Sequence, residues 1–427
     1  MRQVFLGVLG VGTVGAGVLS VLTRKRERIG SALGAEVVVR RALVRDLGKE
    51  RGGDFGPGIL TNDVDAVLGD PEIEVVVELL GGEEPARGYI ERALAAGKHV
   101  VTANKEVIAK HGYELLRIAD ERRVNLFFEA SAGGGIPIIR VLRRDLVVNE
   151  ISQIQAIING TTNYILSEME NDQDYRAALR QAQALGYAEP DPRNDVEGID
   201  AAYKLAVLAT LAFRADVRPE AIHRAGITQL EARDFRYARE MGYVIKLLAT
   251  ARAVEDQIEA AVHPTLIPMD HHLASVKGVF NAVLIDGDEI DQLMLYGRGA
   301  GAKPTSSAVL ADVCAAVQDI VSGVAERVEF PARSRVVRDF GDTDARFYLR
   351  LLVADEPGVL AQIASALGDG RISIASCIQK ETDDEAKVAE IVIMTHTARQ
   401  SAMTQALEAI AALPITRRVS TCIRVGR

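Results

Sequence analysis

Two oppositely charged residues, Asp200 and Lys204, stand four positions apart in a stretch otherwise built of Ala201, Ala202, Leu205, Ala206, Val207 and Leu208. At helical spacing they share one face, and charges on a largely buried helix are costly unless they are paired or functional. Burial lowers the pKa of such a lysine towards the range of a working acid or base, and the neighbouring aspartate opposes that shift. The pattern leaves a structural ion pair and a proton-transfer group both open. Lys105 closes the stretch Gly97–Lys105 just past a predicted strand, at the edge where open α/β sheets bind ligands. There it suits a substrate carboxylate, a cofactor or a proton relay, and a plain surface lysine equally. Glu129 runs into Ala130-Ser131-Ala132-Gly133-Gly134-Gly135-Ile136-Pro137. A carboxylate beside a tight loop of carbonyls can ligate a hard cation, and a simple glycine turn fits the same spacing. His271 and His272 are adjacent and lack a spaced third ligand, so they are expected to be exposed and not metal-binding.

The elements that must position these residues follow from hydrophobic periodicity. Short β-branched runs at Val4–Gly10, Glu36–Val44, Glu74–Leu80, His99–Thr102 and Val124–Glu129 alternate with helical patterns at Thr13–Arg28, Ala86–Ala96 and Glu106–Arg122. That alternation predicts a parallel sheet covered on both faces, a Rossmann-type domain over residues 1–130. A mixed α+β domain follows over 131–332, whose last part can return to the first domain. The charged segment Arg333–Arg346 reads as a linker, and strand, helix, strand, strand, helix and strand over 345–427 give the ferredoxin-like order. Between the first strand and helix, Gly10-Val11-Gly12-Thr13-Val14-Gly15 fits G-x-G-x-x-G, with a tight turn, a close backbone approach to a pyrophosphate and close helix packing assigned to its three glycines. The second strand ends in Arg45-Asp46-Leu47-Gly48-Lys49. Arg45 and Lys49 could bracket the extra phosphate of NADP, while Asp46 could bond a ribose hydroxyl of NAD; the balance favours NADP.

Composition removes other classes. The 427 residues carry 50 Lys and Arg against 59 Asp and Glu, a formal charge of −9, which disfavours a general nucleic-acid binder. Aromatic residues are 5% and tryptophan is absent, so base-stacking platforms are not expected. Cys314, Cys377 and Cys422 are too scattered for a disulfide framework or a thiolate metal site, consistent with a reduced, cytoplasmic protein. The apolar run Val4–Leu22 is not read as a signal peptide, because it passes into Arg24–Arg28 without a small-residue cleavage site, and no stretch is long and apolar enough to span a membrane.

Seven motifs in order resemble the homoserine dehydrogenases that carry a C-terminal ACT domain, over nearly the whole length. They are Gly10–Gly15, Glu78–Gly82, Thr102–Lys105, Glu129–Pro137, Asn159–Tyr164, Gly186–Lys204 and Gly297–Gly301 ahead of Pro304-Thr305. The resemblance implies NAD(P)H-dependent reduction of aspartate β-semialdehyde to L-homoserine. It implies Lys204 as acid/base, Lys105 as a second active-site lysine near cofactor and substrate, and Glu189 and Asp200 as residues that hold the substrate. Gly160, Thr161 and Tyr187 would line the pocket, and Thr102, Gly186 and Gly301 would join the glycine loop at the cofactor. Glu129 with main-chain oxygens of Ala132, Gly134 and Ile136 is similar to the family's monovalent cation site, usually sodium. The tail around Asp355–Leu360 resembles an ACT module, with threonine the expected effector, and the family implies a homodimer or homotetramer.

Two other readings compete. A 2-hydroxyacid dehydrogenase with an ACT tail needs a histidine acid/base with a carboxylate partner, and the histidines here lack that setting. A non-enzymatic NAD(P) or amino-acid sensor has no need of Asp200, Lys204 and Glu189.

Overall fold

The computed structural model describes residues 1–49, 58–324, 335–383 and 387–426. Hydrophobic periodicity predicts a helix over Ser306–Ala325 and a strand over Ala386–Thr395; the end of the first, the start of the second, the boundary at 332, and Arg333 and Ser334 of the predicted linker lie outside the described residues. The chain divides into two compact units.

The first unit comprises Met1–Ile151, Tyr203–Pro219 and Gly287–Arg335. Its six-stranded sheet is built from β1 (Arg2–Leu9), β2 (Ala35–Leu43), β3 (Leu60–Thr61), β4 (Ile73–Glu78), β5 (His99–Thr102) and β6 (Leu126–Phe127), in the order β3-β2-β1-β4-β5-β6. All pairings are parallel. Val4, Leu6, Val8, Val75, Val77 and Val101 are fully buried, as strands covered on both faces require. Strand order reverses between β1 and β4, and ligands bind at such a switch point, beyond the carboxyl ends of the strands. The predicted helix Thr13–Arg28 is interrupted at Lys25, giving helices Thr13–Arg24 and Arg26–Leu33. Far along the chain, helix Ala302–Ser322 packs Val309, Val313 and Val317 into the same core as Val18 and Leu22.

The second unit comprises Ser152–Ala202, Glu220–Asp286 and Val336–Arg427. Strands Phe280–Gly287, Ile151–Ile157, Tyr243–Val254 and Gln257–Pro268 lie side by side in that order. The sheet continues through Thr416–Val425, Asp344–Ala354, Val388–Thr395 and Ile374–Asp383. The join is a short parallel pairing of Thr265 with Arg424 and of Leu266 with Val425. The last four strands, with helices Val359–Asp369 and Gln400–Ala412, form the expected ferredoxin-like module around Leu349, Ile363, Ile393 and Met403. The described part of the predicted linker is not a free tether. Val336–Val337 pairs with Gln257–Ile258, and the Arg338 amide donates to the Ile258 carbonyl at 2.8 Å. Strand pairing between residues far apart in sequence, which a run of charges does not reveal, holds this segment to the sheet.

An ion cluster fixes the C-terminal module to helix Ala232–Glu240. Arg350, fully buried, donates to Asp234 at 2.6 and 3.1 Å and to Glu390 at 2.8 Å, while the Tyr237 hydroxyl donates to Glu390 at 2.6 Å. Asp234 and Glu390 are themselves buried, so each charge depends on the others for its solvation.

Candidate functional site

In the first unit, β1 delivers the chain into the glycine loop. Gly10 has φ +102°, and a Cβ there would lie 2.9 Å from the Leu79 carbonyl oxygen, so this turn requires glycine. At Gly15 a Cβ would lie 2.2 Å from the Gly10 oxygen, which fixes how closely the helix approaches the turn. Gly12 differs: nothing lies within 4 Å of its Cβ position, leaving the main chain open to an incoming group. Gly12 also precedes helix Thr13–Arg24 without a side-chain cap, so the helix presents its first N–H groups as an anion site. Ser306 of the returning helix donates to the Val14 carbonyl at 3.2 Å, setting the first turns of the two helices side by side. Gly301, at φ +115°, is the N-cap of that second helix.

A cleft of about 600 Å³ opens beside this loop, lined by Gly10, Val11, Gly12, Arg45, Asp46 and Lys49 among others. One Asp46 oxygen accepts the Gly48 amide at 2.8 Å, so that carboxylate already shapes its own turn. The open main chain at Gly12, the helix N-terminus and the cleft volume fit a dinucleotide, with Arg45 and Lys49 on the wall where a ribose 2′-substituent belongs.

Glu78, at the end of β4, is fully buried and accepts the Thr102 hydroxyl at 2.6 Å and the Leu80 amide at 2.6 Å. Burial pushes its carboxyl up, against these hydrogen bonds. Thr102 in turn accepts the Asn104 amide at 3.0 Å, and the Asn104 side chain donates to the Gly82 carbonyl at 2.7 Å. This chain of bonds ties the Leu79–Gly82 edge of the cleft to the start of helix Lys105–Arg122, whose first residue is Lys105. The Thr102 hydroxyl is therefore committed inward, and any role of this residue towards a cofactor falls to its main chain. Glu78 and Asn104 were unassigned in the sequence; their position at strand ends facing the switch point was the available signal.

Glu129 behaves differently from a simple ligand carboxylate. Its two oxygens accept the amides of Ile139 and Arg140, each at 2.8 Å, capping the short helix Ile138–Arg140. The Ile136 oxygen accepts the Ile138 amide at 2.8 Å. Positive φ at Gly133 and Gly134 curls the loop, and Gly135 donates to the Arg298 carbonyl at 3.0 Å. Asp312 accepts the Glu129 amide at 2.8 Å. Burial pushes the Asp312 carboxyl up to about 7 and raises that of Glu129 as well. Two buried carboxyls beside a curled carbonyl loop fit a monovalent cation, held by main-chain oxygens with the Glu129 side chain as helix cap. Among the described residues no group of three or more His, Cys, Asp or Glu side chains forms a metal cluster.

In the second unit, strand Ile151–Ile157 leads into Asn159, the N-cap of helix Gly160–Glu170. The Asn159 side-chain oxygen accepts the Thr162 amide at 2.8 Å, and its nitrogen donates to Asp200 at 2.8 Å and to Asp195 at 2.7 Å. A Cβ at Gly160 would lie 2.8 Å from the Val279 carbonyl oxygen, so a larger residue is excluded. Thr161 donates to the Tyr187 carbonyl at 2.6 Å, and Tyr187 meets Tyr164 edge-on with ring centroids 5.1 Å apart. The structure thus gathers Asn159, Gly160, Thr161, Tyr187 and Asp200 around one loop. Gly186 and the exposed Glu189 lie on the Tyr187 segment. Helix Ile199–Phe213 runs from the second unit into the first: Asp200 belongs to the second unit and Lys204, one turn further on, to the first, and they are 5% and 9% exposed. Asn159 and Asp195 are site residues that sequence reasoning left unassigned. His271, expected to be exposed, is half-buried: it caps the turn His272–Ser275 by accepting the Leu273 amide at 3.1 Å, a role open to any residue with a side-chain acceptor.

Three family models match the chain: "Homoserine dehydrogenase, NAD binding domain" over residues 10–129, "Homoserine dehydrogenase" over 137–314 and "ACT domain" over 347–415. The homoserine dehydrogenase of Synechocystis is 45% identical, covering 98% of this chain and 99% of its own. That of Corynebacterium glutamicum is 40% identical over 99% of this chain and 95% of its own. Among solved structures, a homoserine dehydrogenase from Thiobacillus denitrificans superimposes with a TM-score of 0.93 at 42% identity, covering 100% of this chain and 99% of the other. A hyperthermophilic archaeal homoserine dehydrogenase in complex with NADPH gives 0.63 at 28% identity, over 74% and 98%.

Proposed function

This chain belongs to the homoserine dehydrogenase family, and from that premise we propose that it reduces L-aspartate β-semialdehyde to L-homoserine through the residues described above. The observation that carries the assignment of roles is the buried Asp200–Lys204 pair on an apolar helix, with Asp200 oriented by Asn159. A bound nicotinamide supplies the hydride. The protein's part is to bind, orient and move a proton. As negative charge builds on the carbonyl oxygen, the Lys204 ammonium stabilises and protonates it, and in the oxidative direction takes the proton back. Asp200 and Glu189 hold the amino-acid end of the substrate, with Gly160, Thr161 and Tyr187 lining the pocket and Lys105 as the second active-site lysine. Gly10 to Gly15, Gly186 and Gly301 are proposed to contact the cofactor.

NADP is favoured over NAD, because Arg45 and Lys49 line the cleft while one Asp46 oxygen is taken by its own turn. The loop of Ala132, Gly134 and Ile136 beside Glu129 would hold a sodium ion structurally. The C-terminal ACT module would bind an amino acid, with threonine expected, and the assembly would be a homodimer or homotetramer. The test is oxidation of L-homoserine followed at the nicotinamide absorbance with each cofactor, for the native enzyme and Lys204→Ala. Native turnover that collapses in the variant while cofactor binding survives supports the scheme; full turnover in Lys204→Ala refutes the acid/base role.

A further inference from the structure

In the second unit, a pocket of about 190 Å³ opens where the parallel join brings strand Gln257–Pro268 beside strand Thr416–Val425. Arg424 lies on its wall and is bonded only to neutral groups: it donates to Gln400 at 2.9 and 2.6 Å and to Thr343 at 2.5 Å. Among the described residues, no carboxylate lies within ion-pair distance of it. The nearest carboxylates are already engaged, since Glu259 pairs with Arg252 at 2.7 Å and Arg338 at 3.1 Å, and Asp344 pairs with Arg399 at 3.4 Å. The Arg424 guanidinium instead lies over the Phe340 ring at 3.9 Å, and Phe340 stacks on His223 at 3.5 Å. Burial lowers the pKa of His263 to about 3 and also lowers that of His223, and the Arg424 charge pushes both down further, so both rings are neutral. A partly buried cation without a counter-ion, facing a cavity of neutral hydrogen-bonding groups, is the arrangement that a small carboxylate completes.

We propose that this pocket is a binding site for a small carboxylate-bearing metabolite of amino-acid size, with its carboxylate on Arg424 and its polar end against Thr250, Thr265 and Gln155. The pocket admits a ligand of roughly ten heavy atoms. The site is pre-formed, because main-chain pairing at Thr265 and Leu266 and the Arg350–Asp234 bridge hold its two sides together. It also has a route to the substrate loop: Gln153 and Gln155 line it, and their strand runs into Asn159, which holds Asp200. Only that route rests on the role proposed for Asp200; the binding itself does not.

The test is calorimetric titration of the full-length protein with L-threonine, L-methionine and succinate in turn. At least one probe is expected to bind with one site per chain and to lose roughly tenfold or more in affinity in Arg424→Gln. Because Arg424 also bonds Thr343 and Gln400, Thr250→Leu, which fills the pocket from the opposite strand, is measured beside it and is expected to weaken the same probe. Binding of no probe, or binding that survives both variants, overturns the proposal; survival assigns the probe to another site, the substrate pocket included. Loss of self-association in Arg424→Gln without any probe binding would also overturn it, in favour of a second copy as occupant. Homoserine oxidation in the same samples separates the two readings. Turnover is expected to be unchanged in both variants without ligand, and its absence in the native protein would refute the catalytic assignment while leaving the binding result intact.

Discussion

Asn159 makes the sharpest demand on the proposed mechanism, because one side chain performs two separable tasks. Its oxygen caps helix Gly160–Glu170 through the Thr162 amide, and its nitrogen bridges the carboxylates of Asp195 and Asp200. Serine caps a helix about as well as asparagine but cannot span two carboxylates, so Asn159→Ser removes the bridge and keeps the cap. A hydrogen bond to a buried charged group is worth about 1.5–3 kcal/mol. If all of the Asp200 share is felt in the transition state, kcat/KM for homoserine falls roughly 10- to 150-fold. A fall in kcat would mean that Asp200 sets the proton-transfer geometry of Lys204, and a rise in KM alone would mean that it holds the substrate equally in ground and transition states. The assay is steady-state homoserine oxidation, with the cofactor dissociation constant measured separately and expected to be unchanged. Asn159→Ala is the control: relative to the serine variant it loses only the cap, about 1 kcal/mol of stability, with little further loss of rate. Asn159→Asp keeps the cap but sets a third carboxylate against Asp195 and Asp200, and is expected to be the most damaging of the three. An Asn159→Ser enzyme within threefold of the native kcat/KM would refute the claim that this bridge orients Asp200.

Two further predictions follow from buried or cleft-lining charge. Replacing both Arg45 and Lys49 by alanine is expected to raise the KM for NADP tenfold or more with little change for NAD, and equal effects on both cofactors would refute their role in 2′-phosphate recognition. Arg350→Met leaves Asp234 buried without its cation and Glu390 with Arg233 alone, at 3.2 Å, and is expected to cost about 3–5 kcal/mol in urea unfolding at neutral pH. Burial opposes ionisation of Glu390, yet the bonds from Tyr237 and Arg350 hold its pKa below the ordinary carboxylate range. Its contribution is therefore full above the unfolded-state pKa and is lost as pH falls through the folded-state value, so the deficit of Arg350→Met should shrink in acid. A deficit that is constant from neutral pH into acid would count against this account.

Features set by neighbours in sequence were legible. Gly10, Gly12 and Gly15 answer to a turn and a helix start within six residues: Gly10 and Gly15 have no room for a side chain, and Gly12 leaves its main chain open. Asp200 and Lys204 were visible because two charges contradicted an apolar helix. Where a partner lies far along the chain, the reading stopped or went astray. Asn159 looked like part of a motif, and only the fold brings Asp195 and Asp200 to its amide. The carboxylate of Glu129 was grouped with the glycine loop that follows it, whereas its oxygens cap a helix starting nine residues later. The segment Arg333–Arg346 was read as linker from its charges, since nothing local in Val336-Val337 announces its pairing with Gln257-Ile258.

Arg350 shows why this limit is physical. Within Phe347–Val353 it interrupts an apolar strand, and a local reading turns such a residue to solvent or counts it as a defect. Burying it alone would cost several kcal/mol, so the fold can hold it only if an anion is delivered to the same place, and Asp234 arrives from 116 positions away. The pairing is thus a condition on two distant segments at once. The C-terminal module is fixed to helix Ala232–Glu240 because its strand carries a charge that only that helix neutralises with two bonds. The same logic distinguishes Arg424. It too is carried inward by a strand of the module, but no described carboxylate meets it: Gln400, Thr343 and the Phe340 ring hold it, and the proposed ligand would supply the anion that Arg350 finds within the chain.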